Sequence, residues 1–179
     1  METRIDEIKF KRNGKFIAFS NQSNKTIIFE NLPEMTSPFG VEKYNNKQII
    51  NFTLKQKNNE EHNFLSKLKT IEETFKNQND DIIPINILQL IKGKEFSESL
   101  KDAKNNKYLL RTHIGNNVDV FLITNDEKMF IEQKHLNKNP CKIVLELKGM
   151  WIEDSTYGLY WNVLSANVLK LTNNSQKID

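Results

Sequence analysis

One stretch of this chain breaks the rhythm of all the others. In EEHNFLSKLKTIEETFKN the residues Phe64, Leu68, Ile71 and Phe75 recur at spacings of four, three and four, with Glu and Lys opposite them, which is the period of an amphipathic helix. Most other apolar runs alternate with period two, as half-buried strands do. A single strong helix among many strands must bury its stripe against a sheet. The expected fold is therefore mainly β, a small antiparallel barrel or a sandwich with an inserted helix.

The strands can be followed along the chain. IKFKRNGKFIAFS reads as a hairpin with its turn at Asn13-Gly14, and KTIIFEN as a third strand. In KQIINFTLKQK the residues Ile50, Phe52 and Leu54 share one face, leaving Ile49, Asn51, Thr53 and Lys55 on a polar outer one. After the helix, IPINILQLI alternates well enough for a strand and Pro84 argues against a continuous helix, while EFSESLKDA has the look of a short helix. In YLLRTHIG the residues Leu110, Thr112 and Ile114 face one way and Leu109, Arg111 and His113 the other; Asn116-Asn117 then turns the chain into VDVFLIT, and NDEK turns it again into MFIEQK. The last two strands, CKIVLELKGMWI and LYWNVLSANVLKL, flank a loop EDSTYG, with Leu159, Trp161 and Val163 on one face. Trp161, Phe52 and Phe121 are assigned to the core.

Composition removes whole classes of function. At 179 residues, with 37% apolar and 27% charged residues, the chain suits one globular domain with a core of its own. Its longest nearly apolar run, IIPINILQLI, is far short of a membrane span, and METRIDEIKF offers no apolar signal region. With a single cysteine, Cys141, no internal disulfide can form, so a cytoplasmic or nuclear location is expected. His62, His113 and His135 stand too far apart for a metal motif, the glycines are scattered singly, and there is no GxSxG. The acidic pairs at 60, 72 and 80 sit in helical or turn settings where neighbouring carboxylates are solvated. No nucleophile, metal site or cofactor box supports an enzyme, and no cofactor is expected.

What remains is a β surface carrying lysines among aromatic residues. The formal charge is only +3, and the abundance of Lys and Asn, with Arg only at 4, 12 and 111, is what an AT-rich genome produces. Lysines that track phosphates beside rings that stack on bases nevertheless form the combination used for single-stranded nucleic acid.

One ordered set of motifs narrows this further. TIIFENLPEMTSPFGVEKYNNKQIINFTLK, then FLSKLKTIEETF, then YLLRTHI, then LELKGMWIEDSTYGLYWNVLSANV follow one another between residues 5 and 171. The chain resembles the viral single-stranded DNA-binding proteins of the nucleocytoplasmic large DNA virus group, related to the podophage replication type. Phe39, Gly40 and Tyr44 match that family's PFGV-x-x-Y corner, Arg111 its basic position after YLL, and Trp151, Gly158 and Trp161 its W-x-x-x-x-x-x-G-x-x-W close. The resemblance implies an OB-fold barrel over residues 1–174 with a helical insertion at about 60–104, and a short tail at 175–179. It implies a protein that coats single-stranded DNA without sequence preference during viral replication, recombination or repair. Family members often end in an acidic tail with a terminal aromatic that recruits replication proteins; this chain ends LTNNSQKID, so that recruitment is not carried over.

The expected interface joins the two lines of reasoning. Lys55, Lys57, Arg111, His113 and Lys148 line a groove on the polar strand faces, and Tyr44, Trp151, Tyr157 and Tyr160 supply stacking edges. Pro38 and Gly40 make a corner, Gly158 a second turn, and Phe39 either caps the barrel or stacks on a base. Tyr44, with Lys43 and Lys47 beside it, is where the corner is expected to touch DNA. Replication proteins and further copies of the chain are possible partners, and no membrane is. A β-rich structural or adaptor protein that binds protein, or an RNA-binding barrel, fits the same composition.

Overall fold

The computed structural model describes residues 4–172. After a short 3-10 turn at Ile5–Glu7, β1 (Lys9–Asn13) and β2 (Phe16–Ser20) form the first hairpin, followed by β3 (Ile27–Phe29). Its two-residue turn is Gly14-Lys15, one position later than the sequence implies, since Asn13 already pairs with Phe16. Next come β4 (Val41–Tyr44), β5 (Lys47–Lys55), α1 (Asn59–Lys76) and α2 (Ile85–Ile91). Two short strands, β6 (Glu95–Ser97) and β7 (Leu100–Asp102), precede the long β8 (Lys107–Thr124), β9 (Glu127–Ile131), β10 (Cys141–Ile152) and β11 (Thr156–Val168).

The strands hydrogen-bond in the order β1-β2-β10-β11-β8-β5-β4, antiparallel except where β11 runs parallel to β8 and to β6. The sheet then closes on itself. Met35 and Cys141 exchange backbone hydrogen bonds of 2.9 and 2.8 Å, and the Thr53 amide donates to the Thr36 carbonyl at 2.8 Å. Residues 35–36 thereby bridge β10 to β5 and complete a ring with β11 and β8. This is a small OB-fold-like barrel with an inserted helix, from which β1, β4 and β9 extend as edge strands.

The helix fills the part the periodicity assigns to it. Phe64, Leu65, Leu68, Ile71 and Phe75 are all buried in the one core shared with the barrel. Phe75 stacks on Phe19 of β2 at 5.2 Å and receives the Tyr157 hydroxyl on its carbonyl at 2.8 Å. The helix begins at Asn58, whose side chain accepts from the Glu61 amide at 2.9 Å while Glu61 reaches back to the Lys57 amide at 2.6 Å, satisfying donors that the first turn leaves open.

Several expectations are corrected. IPINILQLI is not a strand: Pro84 is the N-cap of α2, a place where its missing N–H costs nothing, and Ile87 and Ile91 bury one helical face. EFSESLKDA is not helical, because its two halves pair as β6 with β11 and as β7 with β8, so strands replace helix from Glu95 to Asp102. Asn116-Asn117 does not end the strand; β8 continues through it, and its register against β11 slips between Ile114 and Asp119 in a broad bulge. The loop after β10 is only Glu153–Ser155, since Tyr157 and Gly158 already belong to β11. The outer face of β5 is covered at Ile49 and Asn51, both buried. Phe52 and Trp161 are core, whereas Phe121 is only half-buried on the outer side of β8. The tail at 175–179 lies outside the described residues.

Candidate nucleic-acid interface

Strand alternation puts a set of polar and aromatic side chains on the outside of β5, β8 and β11. Leu110, Thr112 and Ile114 of β8 point into the barrel, so Arg111 and His113 point out. Leu159, Trp161 and Val163 of β11 point in, so Tyr160 and Asn162 point out, and Asn162 is the register partner of His113. The β4–β5 hairpin turns at Asn45-Asn46, both at positive φ (47° and 62°), the pair of left-handed residues that a tight type I′ turn needs. That turn sets Tyr44 and Lys47 directly opposite one another at the lip of the same surface.

Tyr44, Lys47, Arg111, His113 and Tyr160 line a groove of about 350 Å³. Tyr44, Lys47 and Ile49 form one wall, Arg111, His113 and Tyr160 the floor, and Trp151 with Ser97, Glu98 and Ser99 the far wall. The floor is tied together by Ser99, whose carbonyl accepts from the Arg111 amide at 2.8 Å and whose hydroxyl donates to the Leu159 carbonyl at 3.4 Å.

The rings are already ordered. His113 lies face to face on Tyr160, centroids 3.9 Å apart and planes within 5°, and Phe16 meets Tyr160 edge-on at 5.9 Å. Cations surround them: Lys148 lies 5.5 Å and Lys47 6.0 Å from the Tyr160 ring, and the Arg111 guanidinium 5.7 Å from that of Tyr44. Lys148 keeps the alternation of β10, in which Ile143, Leu145 and Leu147 point into the core, and the register shift between Leu147 and Gly149 reverses the phase only after it, where Met150 is buried. Burial, then the charges of Lys47, Arg111 and Lys148, push the His113 pKa down to about 4, so its imidazole is neutral at physiological pH. It therefore serves as a flat aromatic surface and adds no positive charge there. Glu98 in the far wall is paired with Lys76 at 2.6 Å, which neutralises that carboxylate.

Behind the groove sits a buried carboxyl. Glu72 of α1 accepts from the Ser99 amide through both oxygens, at 3.1 and 3.3 Å, and the Trp161 indole N–H faces it without closing a full hydrogen bond. Burial raises its pKa to about 7 against the hydrogen bonds that favour the anion.

Seven of the twelve sequence-derived residues thus converge: Tyr44, Lys47, Arg111, His113 and Tyr160, with Trp151 on the far wall and Lys148 beside the Tyr160 ring. Five do not. Lys55 and Lys57 line a separate cleft with Lys142, Glu34 and Glu60. Lys43 is exposed on β4 and Phe39 on the corner, 58% accessible, which rules out a barrel cap for Phe39; neither lines the groove. Tyr157 is fully buried, in phase with Leu159 and Trp161, and its hydroxyl is spent on α1. Gly40 does make its corner, at φ +71°, but Gly158 is no turn. Gly158 lies opposite Trp151 in the β10–β11 ladder, and a Cβ there would stand 2.6 Å from the indole ring and 2.9 Å from the Ser97 carbonyl oxygen. Sequence reading missed the Ser97–Ser99 wall altogether, because nothing local marks it.

Among the described residues no group of His, Cys, Asp and Glu is arranged to hold a metal ion, and no helix is long and apolar enough to cross a membrane. Cys141 is buried, which pushes its thiol up to about 12 and leaves it unreactive.

No family model and no curated protein matches the sequence. Solved structures do. Gp2.5, a single-stranded DNA-binding protein encoded by bacteriophage T7, superposes with a TM-score of 0.57 at 12% identity, covering 85% of this chain and 98% of its own. A single-stranded DNA-binding protein from bacteriophage Enc34 gives a TM-score of 0.50 at 13% identity, with 96% of each chain covered. At such identities the likeness is one of fold, and it extends over nearly the whole length of both.

Proposed function

We propose that this protein binds single-stranded DNA without sequence preference, with Tyr44, Trp151 and the His113–Tyr160 stack taking bases and Arg111, Lys47 and Lys148 taking phosphates. The observation that carries this reading is the convergence itself. Aromatic and cationic side chains from β4, β5, β8, β10 and β11 meet in one groove on the outside of a barrel. Stacking on a ring tolerates any base, and cations that touch only phosphates read no sequence. Lysine contacts, being point charges, hold a strand without fixing its geometry, which suits a coat that must be laid down and stripped again. The solved structures of like fold bear phage single-stranded DNA-binding names, which supports the reading.

The role is that of a non-catalytic coat protecting exposed strands during viral DNA replication, recombination or repair, in the cytoplasm of the infected cell. Kinship with the large nucleocytoplasmic DNA viruses rests on the PFGV-x-x-Y corner and the Trp151, Gly158, Trp161 spacing.

The test is a gel-shift comparison of single-stranded DNA, duplex DNA and single-stranded RNA at two salt concentrations, with wild type and Tyr44→Ala. Single-stranded DNA is expected to bind more tightly than duplex. Tyr44 is 57% exposed, so its truncation should leave folding intact while costing roughly 1 to 3 kcal/mol of binding. Preference for duplex, or undiminished binding by the variant, would count against the groove.

A further inference from the structure

We propose that the outer face of the β8–β9 hairpin is a second base-stacking platform, built from Phe121, Phe130 and Lys128, which holds the same DNA strand after it leaves the Tyr160 groove. The proposal rests on the single-stranded DNA reading above and extends it to a part of the surface which that reading leaves unused.

Phe130 is 68% exposed, an unusual position for a phenylalanine on an ordered strand. It is the direct register partner of Phe121, and the two rings lie 4.4 Å apart at 42°. The Lys128 ammonium sits 3.8 Å from the Phe121 centroid. Ring pair and cation repeat the composition of the His113–Tyr160 site with its lysines. A lone exposed phenylalanine is ordinary, whereas a ring pair with a cation seated on it has the makeup of a single-strand stacking site.

Register places this second cluster on the same side of the sheet as the first. Val120 and Leu122 are buried in the barrel, so Phe121 faces outward, as Arg111 and His113 do. Across the strands Lys142 pairs with Asn167, Asn167 with Phe121, and Phe121 with Phe130, a row running over β10, β11, β8 and β9. From Tyr160 to Asn167 along β11 the separation is roughly 23 Å at about 3.3 Å per residue, with the partly exposed Leu164 between them. That span suits a barrel whose single-strand footprint falls in the range of about 4 to 16 nucleotides.

The β8 bulge between the two clusters is held in place. The Gln133 side-chain amide donates to the carbonyls of Gly115 at 2.8 Å, Val118 at 3.3 Å and Asn116 at 3.4 Å, fixing the bend that carries the hairpin. The charges around the hairpin decide what kind of contact it makes. Asp119 faces outward between the clusters, Asp126 and Glu127 sit at the hairpin turn, and Lys134 is paired with Glu132 at 3.3 Å. The platform therefore takes bases by stacking, and phosphate attraction stays concentrated at the groove.

The experiment uses fluorescence anisotropy with labelled oligo-dT of about 4 and about 12 nucleotides, the low and middle parts of that footprint range, on the full chain. Phe130→Ala is expected to weaken the longer oligonucleotide by about fivefold or more, leave the shorter one unchanged, and leave the salt dependence unchanged. Phe130→Leu, apolar but without a ring, should lose as much. Asp119→Asn should tighten the longer one only. Equal loss at both lengths, or no loss at either while Tyr44→Ala weakens both, overturns the platform and leaves the groove standing. A change in sedimentation of Phe130→Ala with unchanged long-oligonucleotide affinity would make the patch a contact between copies and also overturn it. Failure of wild type to bind either length overturns the groove reading and the platform together.

Discussion

At the scale of single residues, strand phase separates ligand-facing groups from core more reliably than residue type does. Tyr157 and Tyr160 look alike in sequence, yet Tyr157 is in phase with Leu159 and Trp161 and is buried, while Tyr160 is out of phase and reaches the groove. That distinction was legible, and reading both tyrosines as stacking edges ignored it. Lys148 obeys the same rule, alternating with the buried Ile143, Leu145 and Leu147, and the bulge that follows it reverses the phase only from Met150 on. Gly158 yields the residue-scale prediction. Its lack of a Cβ lets Trp151 lie flat across β11, so Gly158→Ala must displace either the indole or the β6 backbone. Overpacking of this kind costs about 1 to 3 kcal/mol, and the variant should show a lower melting temperature together with weaker DNA binding. An unchanged melting temperature would mean that Trp151 moves freely and is not held in place by the ladder.

At the scale of elements, α1 was readable because its apolar stripe has a period that nothing else in the chain shares. The segment that follows it was not, because its structure is decided from outside. β6 and β7 are three-residue strands that form where β11 and β8 offer free edges, and the Ser97–Ser99 turn between them becomes a wall of the groove. Pro84 reads as a breaker but serves as a start. Glu72 joins the helix to that wall through the Ser99 amide, and its pKa has a consequence for stability. In the folded chain it titrates near 7 against an ordinary value of 4.5, so the folded state holds the proton more tightly. Its contribution is fully present below about 4.5 and is lost as pH rises through 7. Thermal unfolding followed from pH 5 to 8 should therefore show the melting temperature of wild type falling toward neutrality, with Glu72→Gln giving a flatter profile. Identical slopes in the two proteins would show that Glu72 titrates normally.

At the scale of the whole molecule, the order of motifs carried the fold and the parity of β8 carried the centre of the site. Closure of the barrel was not legible, since it depends on isolated bridges from Met35 and Thr36 that have no period. The distribution of lysines was not legible either. Lys55 and Lys57 lie one strand-length from Lys47 yet face another cleft, because β5 runs past the groove and out of it. What the fold achieves is to bring three cations and four rings from separate strands to one surface. The most direct test is the dependence of poly-dT affinity on salt concentration, measured for wild type and Arg111→Ala. With Lys47, Arg111 and Lys148 each neutralising one phosphate, the log-log slope should be about −2 in wild type and shallower by about 0.7 in the variant, with thermal unfolding nearly unchanged. A flat response in wild type, or a variant with the same slope and the same affinity, would contradict the groove as the place where DNA is held.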